Sequence, residues 1–430
     1  MHDLTRSRQP DGRAHVSATA RASSSCVVRE RCAASWVLLL LLGALPGCDV
    51  LLTEAPAAAD IQDGPLEGLT LAEQAAFTRG DARFEERFPV AAGLGPIFNN
   101  VSCAGCHPGD GRGRSEPGFF NMVVRVNPGS GHGSPTIEQR AIAGAEAETV
   151  PAGAPVSRRL PPAVFGLGLI EAIPAATIVA REDPADANGD GISGRAHWVT
   201  AAEWVPVSEP GGGPGMQLGR FTRRARTSTL FEQVADAYHK DMGITSPFLF
   251  FENPNLTAGT PTLSADRVPD PEIPADAVQQ VVFYLRTLAP PAPGVLTPAR
   301  AEGERHFSEV GCAACHTPEQ RTGAHVVVAL ANRTVTLYSD LLLHDMGDAL
   351  ADGVGDKSAS GREWRTAPLW GLRVMRDFLG GDAFLLHDGR ARSVEEAILL
   401  HGGEAAAART RFTQLAPAAK AALLDFVESR

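Results

Sequence analysis

SCAGCHPGDGRGR, residues 102–114, sets two cysteines three positions apart with a histidine directly after the second: Cys103, Cys106 and His107. A second copy, Cys312-Ala313-Ala314-Cys315-His316, lies 209 residues downstream. Two thiols at this spacing can add to the two vinyl groups of one haem, and the adjacent histidine is then placed to bind the iron from the proximal face. A thioredoxin-like dithiol would need a βαβ setting, which is absent around both motifs, and a zinc ribbon would pair its CxxC motifs across a far shorter gap. Two c-type haems are therefore expected, held by Cys103, Cys106, Cys312 and Cys315, with His107 and His316 as axial ligands.

Outward from the two motifs the chain repeats itself. LTLAEQAAFTRGDARF (69–84) leads to the first, LTPARAEGERHF (296–307) to the second, each with Gly and Phe four apart (Gly80/Phe84, Gly303/Phe307). Arg159-Leu-Pro-Pro162 follows the first and Arg365-Thr-Ala-Pro368 the second. RARTSTLFEQVADAY (224–238) and RARSVEEAILLHG (390–402) then match in order. Each unit closes on an amphipathic stretch, 275–288 and 418–430, with apolar residues at helical spacing. The expected fold is mainly α: two tandem cytochrome c-like domains, each with one covalent haem, and few short strands. The domains are read as 67–289 and 299–430, joined by the Pro-rich linker 290–298. HWVTAAEWVPV…MQLGRF (197–221) reads as a short hairpin.

Residues 1–48 read as a leader. Six arginines precede an apolar run, Ala33 to Leu45, which is about one signal-peptide core and short for a membrane span. It ends in Leu45-Pro46-Gly47-Cys48, similar to a lipobox despite the unusual Pro46, so Cys48 is the expected lipidation site. An ordinary secretion signal with an incidental cysteine is the plainer alternative. Residues 49–66 form a linker, and the mature chain is expected in the periplasm or cell envelope, touching a membrane only through its lipid. Cys26, Cys32 and Cys48 belong to the leader, which leaves no cysteine for a disulfide framework. The net charge of -11 argues against a nucleic-acid partner.

The sixth iron position decides between electron storage and chemistry. In the second unit His344, Met346, His387 and His401 are candidates. His401 is preferred, since it follows Ala397 on one helical face, and Met346 is the runner-up. A surface histidine is the bland reading of His401. In the first unit His132 lies in the Gly-rich PGSGHGSP and could swing on and off the iron, or be a plain loop residue; Met122 is a further candidate.

GLGPIFNNVSCAGCH, PPAVFGLGLIEAIP, DANGDGISGR, DMGITS, YSDLLLHDMG, EWRTAPLWGL and LLHDGRARSVEEAILLHGGEA occur in order across residues 69–430. As a set they resemble the bacterial di-haem oxidoreductases, some of them labelled thiol oxidoreductases. Those are related to the di-haem cytochrome c peroxidases and to the enzyme that matures methylamine dehydrogenase. The resemblance implies a C-terminal haem that receives electrons and an N-terminal haem that meets peroxide. His401 stands where the peroxidases commonly have Met, which implies bis-histidine ligation by His316 and His401 and a lowered potential. The thiol label is discounted, since thioether bonds consume the CxxC sulfurs.

Peroxide chemistry needs an acid/base near the iron. By resemblance Asp241 is the first choice and Gln233 the distal donor. Glu171, in the apolar GLIEAIP, is the alternative, with a raised pKa expected from its surroundings. DANGDGIS sets Asp186, Asn188 and Asp190 at alternating positions before Gly191, the front half of an EF-hand-type loop, with His197 at position twelve where the distal Glu would be. Calcium is expected there, with an Asx-rich turn as the alternative. The reading is an exported peroxidase-like oxidoreductase reacting with peroxide or O₂ and fed by a small cytochrome or cupredoxin-type donor. Its rivals are a pure electron carrier and a maturation or oxygenase enzyme using high-valent iron.

Overall fold

The computed structural model describes residues 61–114, 136–150, 152–255, 257 and 263–430, and the backbone of 121–124. The leader with Cys48, and His132, lie outside the described residues, as does the Met122 side chain. Seven described helices reach seven residues or more: α1 (Leu71–Glu85), α2 (Leu230–Met242), α3 (Ala275–Thr287), α4 (Pro298–Glu309), α5 (Val394–Leu400), α6 (Ala406–Gln414) and α7 (Pro417–Glu428). The strands form five antiparallel two-stranded ladders. The fold is mainly helical. No described helix is long and apolar enough to cross a membrane.

Local sequence sets the helix ends. Thr70 and Glu73 form a reciprocal capping box at the start of α1. Thr297 caps α4, with Pro298 in the first turn, where its missing N–H costs nothing. Thr229 caps α2, which stops at Gly243, left-handed at φ 68°.

The repeated Gly-x-x-x-Phe pairs set the packing. α1 crosses α3 at Gly80, where a Cβ would stand 2.3 Å from the Gln280 carbonyl oxygen. α4 crosses α7 at Gly303, where a Cβ would stand 2.1 Å from the Ala422 carbonyl oxygen. One turn on, Phe84 packs on Tyr284 at 5.5 Å and Phe307 on Phe426 at 5.6 Å between centroids. Phe84 and Phe307 are each 2% exposed, so each contributes about 1.5–3 kcal/mol of burial. Two apolar clusters result, one around Phe84, Tyr284 and α2, the other around Phe307, Phe426 and Phe412.

The predicted hairpin is present: Trp198–Thr200 pairs with Met216–Leu218 in register Val199↔Gln217. The first Arg-Ala-Arg stretch sits inside a turn closed by the isolated bridge Phe221↔Thr227, and the second ends a turn closed by the bridge Leu385↔Ala391. Each turn then caps a helix. The Thr229 hydroxyl accepts from Glu232 N at α2, and that of Ser393 from Glu396 N at α5. α2 and α5 thus hold equivalent places.

Candidate functional site

Each CxxCH segment opens onto its own cavity of about 230 Å³. The first is lined by Cys103, Cys106 and His107 and, from α2, by Gln233, Ala237 and Asp241. These recur at four-residue spacing and share one helix face, with Val234, Asp236, Lys240 and Met242 also lining the cavity, while Leu230, Ala235 and Tyr238 are buried. The second cavity is lined by Cys312, Cys315 and His316 and, from α5 and its end, by Ala397 and His401. The same structural place therefore offers a carboxyl and an amide to one cavity and an imidazole to the other.

Both CxxCH histidines meet backbone carbonyls, His107 those of Gly111 and Pro162. His107 Nδ1 lies 3.4 Å from the Gly111 carbonyl, and His316 Nδ1 lies 2.9 Å from the Tyr338 carbonyl. A carbonyl only accepts, so Nδ1 of His316 carries the hydrogen and its Nε2 keeps its lone pair. Burial pushes both pKa values down to about 4 against the pull of those carbonyls, which keeps the rings neutral and fit to ligate. His401, at the C-cap of α5, donates Nδ1–H to the Ala397 carbonyl at 2.6 Å. Its Nε2 is likewise left for a ligand, and burial lowers its pKa.

The four described cysteines are free thiols. Burial raises Cys106 and Cys312 to about 12, and Cys103 rises as well. Thiols held protonated are poor partners for disulfide exchange. Paired unbridged thiols beside a neutral histidine, at the wall of a cavity, fit a covalently held haem in each cavity.

Burial, then the nearby Asp236 charge, raises Asp241 to about 7, against the pull of Lys240 and Arg226. A carboxyl poised there can hold or release a proton near neutral pH.

The family described as "Di-haem oxidoreductase, putative peroxidase" matches residues 56–129 and 151–430. The chain belongs to the di-haem oxidoreductase family. No curated protein matches it. Among solved structures, hydrazine synthase of Kuenenia stuttgartiensis aligns over 97% of this chain and 100% of its own, at 14% identity and a TM-score of 0.37. That likeness is too slight to bear on fold or function.

Two cavities, each with one CxxCH, accord with a di-haem oxidoreductase. Glu171 does not take the place expected of it. It lines neither cavity. Instead it accepts from Arg286 Nε at 2.6 Å and from Leu230 N at 3.4 Å, so its apolar stretch hides an ion pair and not a bare carboxyl. His344 is also no ligand. Its Nδ1 meets Glu404 at 2.6 Å and its Nε2 meets Asp340 at 2.8 Å, so no ring nitrogen is left for iron. Burial opposes its charge, but hydrogen bonds to Asp340, Cys315 and Glu404 outweigh it and raise its pKa to about 12. His387 stacks on Trp364 at 3.8 Å, and burial lowers it to about 3. Met346 does reach the second cavity.

In the 186–193 loop, Asp186 accepts from Gly191 N, Asn188 from Asp190 N and Asp190 from Ile192 N. The Asn188 and Asp190 bonds are Asx turns, and Asp186 closes the loop from five residues away. Asp190 and Ile192 line the second cavity, and Ser193 bonds Glu404. Sequence reading missed the Asp340–His344–Glu404 bracket. YSDLLLHD held a signal for it in the Asp and His four apart, but Glu404 is remote in sequence.

Proposed function

We propose that this di-haem oxidoreductase is an exported c-type peroxidase. Residues 67–289 and 299–430 are read as tandem cytochrome c-like domains, supported by the repeated helix crossings. Haem bound through Cys103/Cys106 and Cys312/Cys315 would supply the redox-active iron. The asymmetry of the two cavities carries the reading. The second holds both His316 and His401, while His107 is the one histidine among the described residues lining the first.

In the second cavity His316 and His401 would hold the haem, with Asp340 and Glu404 keeping His344 out of competition. That suits a site that takes electrons from a small cytochrome or cupredoxin-type donor. In the first cavity Asp241 takes a proton from bound peroxide and returns it to the departing oxygen, and Gln233 offers an amide N–H. Peroxide consumes two electrons and two protons and leaves as two waters. O₂ is the alternative oxidant. The Asx-turn loop with Asp186, Asn188 and Asp190 is read as a calcium loop beside the electron-receiving cavity. Export and tethering through Cys48 fit the Arg-rich leader.

EPR and resonance Raman of the oxidised and half-reduced protein test the reading. One high-spin haem that peroxide consumes is expected. Low-spin iron in every state, unmoved by peroxide, would make the protein an electron carrier.

A further inference from the structure

The two cavities share a wall. Arg112, Arg223, Arg365, Ala367, Pro368 and Leu372 line both of them. Three of these six are guanidinium groups, brought there from the loop after the first CxxCH, from the turn before α2 and from the Arg-Thr-Ala-Pro stretch.

All three donate to backbone carbonyls. Arg112 donates to Phe384 O at 2.8 Å, and Arg223 to Leu160 O at 3.0 Å and Pro161 O at 3.4 Å. Arg365 donates to Thr222 O at 3.1 Å and Thr366 O at 3.4 Å. Among the described residues none of the three has a carboxylate within ion-pair distance. Their neighbours do: Arg159 meets Asp356 at 2.8 Å, and Arg224 meets Asp352 at 2.8 Å. Arg159, which lines the first cavity alone, and Arg224, which lines neither, are thus paired directly, whereas the three that face both cavities have no carboxylate in contact, Asp388 and Asp340 acting on Arg223 and Arg365 only from a distance.

Burying a guanidinium without a counter-charge is costly. Burial lowers Arg112 and Arg365 to about 10 and Arg223 well below its ordinary value; crowding by Arg112, Arg365 and Arg159 adds to the last, and the more distant Asp388 and Asp340 offset only part of the shift at Arg223 and Arg365. The wall calls for anions that lie in the cavities themselves. Haem carries two propionate carboxylates, and the planar guanidinium fork matches a carboxylate two-to-two.

We propose that Arg112, Arg223 and Arg365 form one cationic wall that binds propionate carboxylates of both haems and couples their redox potentials. The inference rests on haem filling both cavities. One arginine then acts on two redox centres: removing its charge disfavours the reduced state of each and lowers both potentials.

The test uses the haem-loaded full chain, with haem counted by the pyridine haemochrome spectrum. Optical redox titration compares the parent with Arg223→Gln and Arg365→Gln, with Arg305→Gln on exposed α4 as control. The expected result is that each wall substitution shifts both midpoints to lower potential and the control shifts neither. A parent with fewer than two haems overturns the haem reading together with the wall. Two haems with one midpoint or none moved overturns the wall alone. Midpoints that follow a change from chloride to phosphate buffer, and lose that dependence in Arg223→Gln, would place a free anion at the wall and overturn the propionate assignment. If both variants fail to load haem, resonance Raman of the parent decides: strongly hydrogen-bonded propionate bending modes on both haems support the wall, and solvent-like modes on either overturn it.

Discussion

Gly80 lies against Tyr284 where α1 crosses α3: a Cβ on Gly80 would stand 2.6 Å from the Tyr284 Cβ. Gly303 repeats the relationship with Phe426 at 2.7 Å. The same crossings hold Phe84 and Phe307 with ring centroids 6.1 Å from His107 and 6.4 Å from His316. Helix contact and proximal histidine are thus tied together in each repeat.

Gly303→Ala should therefore destabilise. The nearest obstacle is the Ala422 backbone, which cannot rotate away, so α4 and α7 must separate. Overpacking of this kind costs about 1–3 kcal/mol, and the gain in helix propensity, up to about 1 kcal/mol, offsets only part of it. Denaturant unfolding read from far-UV circular dichroism would check this. A variant as stable as the parent would show that the crossing is looser than the structure has it.

His401→Ala should remove the imidazole that faces His316 as its proposed ligand partner in the second cavity. With His344 locked between Asp340 and Glu404, Met346 and the neutral His387 are the other described candidates that line the site. The expected outcome is a new high-spin signal, with the haem count unchanged. Met346→Ala should leave the low-spin signal intact. The reverse pattern would make Met346 the ligand.

The sequence shows most where chemistry depends on short spacing. CxxCH is local, and the repeated Gly-x-x-x-Phe and Arg-Ala-Arg stretches lie in order in both halves. Ala397 and His401 could be placed on one helix face because the period alone decides it. Legibility ends where a partner is remote. Glu171 reads as a lone carboxyl until Arg286 folds onto it, and His344 reads as a ligand until Glu404 arrives. The arginine wall draws on residues near 112, 223 and 365, and no local pattern distinguishes them from Arg159 or Arg224, which find Asp356 and Asp352.

Asp340→Asn tests the His344 bracket. The folded His344 titrates at about 12 against its ordinary 6.5. Its stabilising contribution is therefore complete below about 6.5 and fades as pH rises towards 12. Removing the Asp340 charge leaves a buried imidazolium with one carboxylate and should cost about 3–5 kcal/mol. It should also move the alkaline loss of stability to lower pH. Denaturant midpoints from mildly acid to alkaline pH would read both effects. A uniform drop with no change in pH dependence would mean that Asp340 matters only through its bond to Leu342 N.

Asp241 gives the sharpest test of peroxide chemistry. Its folded pKa is about 7 against an ordinary 3.8, so it is ionised, and able to accept a proton, above about 7. The second-order rate constant for peroxide should climb through that pH and level off above it. Asp241→Asn should remove the inflection and lower the rate about 10²–10⁴-fold, while Asp241→Glu keeps part of both. Stability offers a second readout. Between about 4 and 7 the folded state holds a proton that the unfolded chain has released, so stability falls as pH rises through this window. Asp241→Asn should flatten that slope. An Asn variant with the parent's rate and inflection would take Asp241 out of the reaction, whatever its effect on stability.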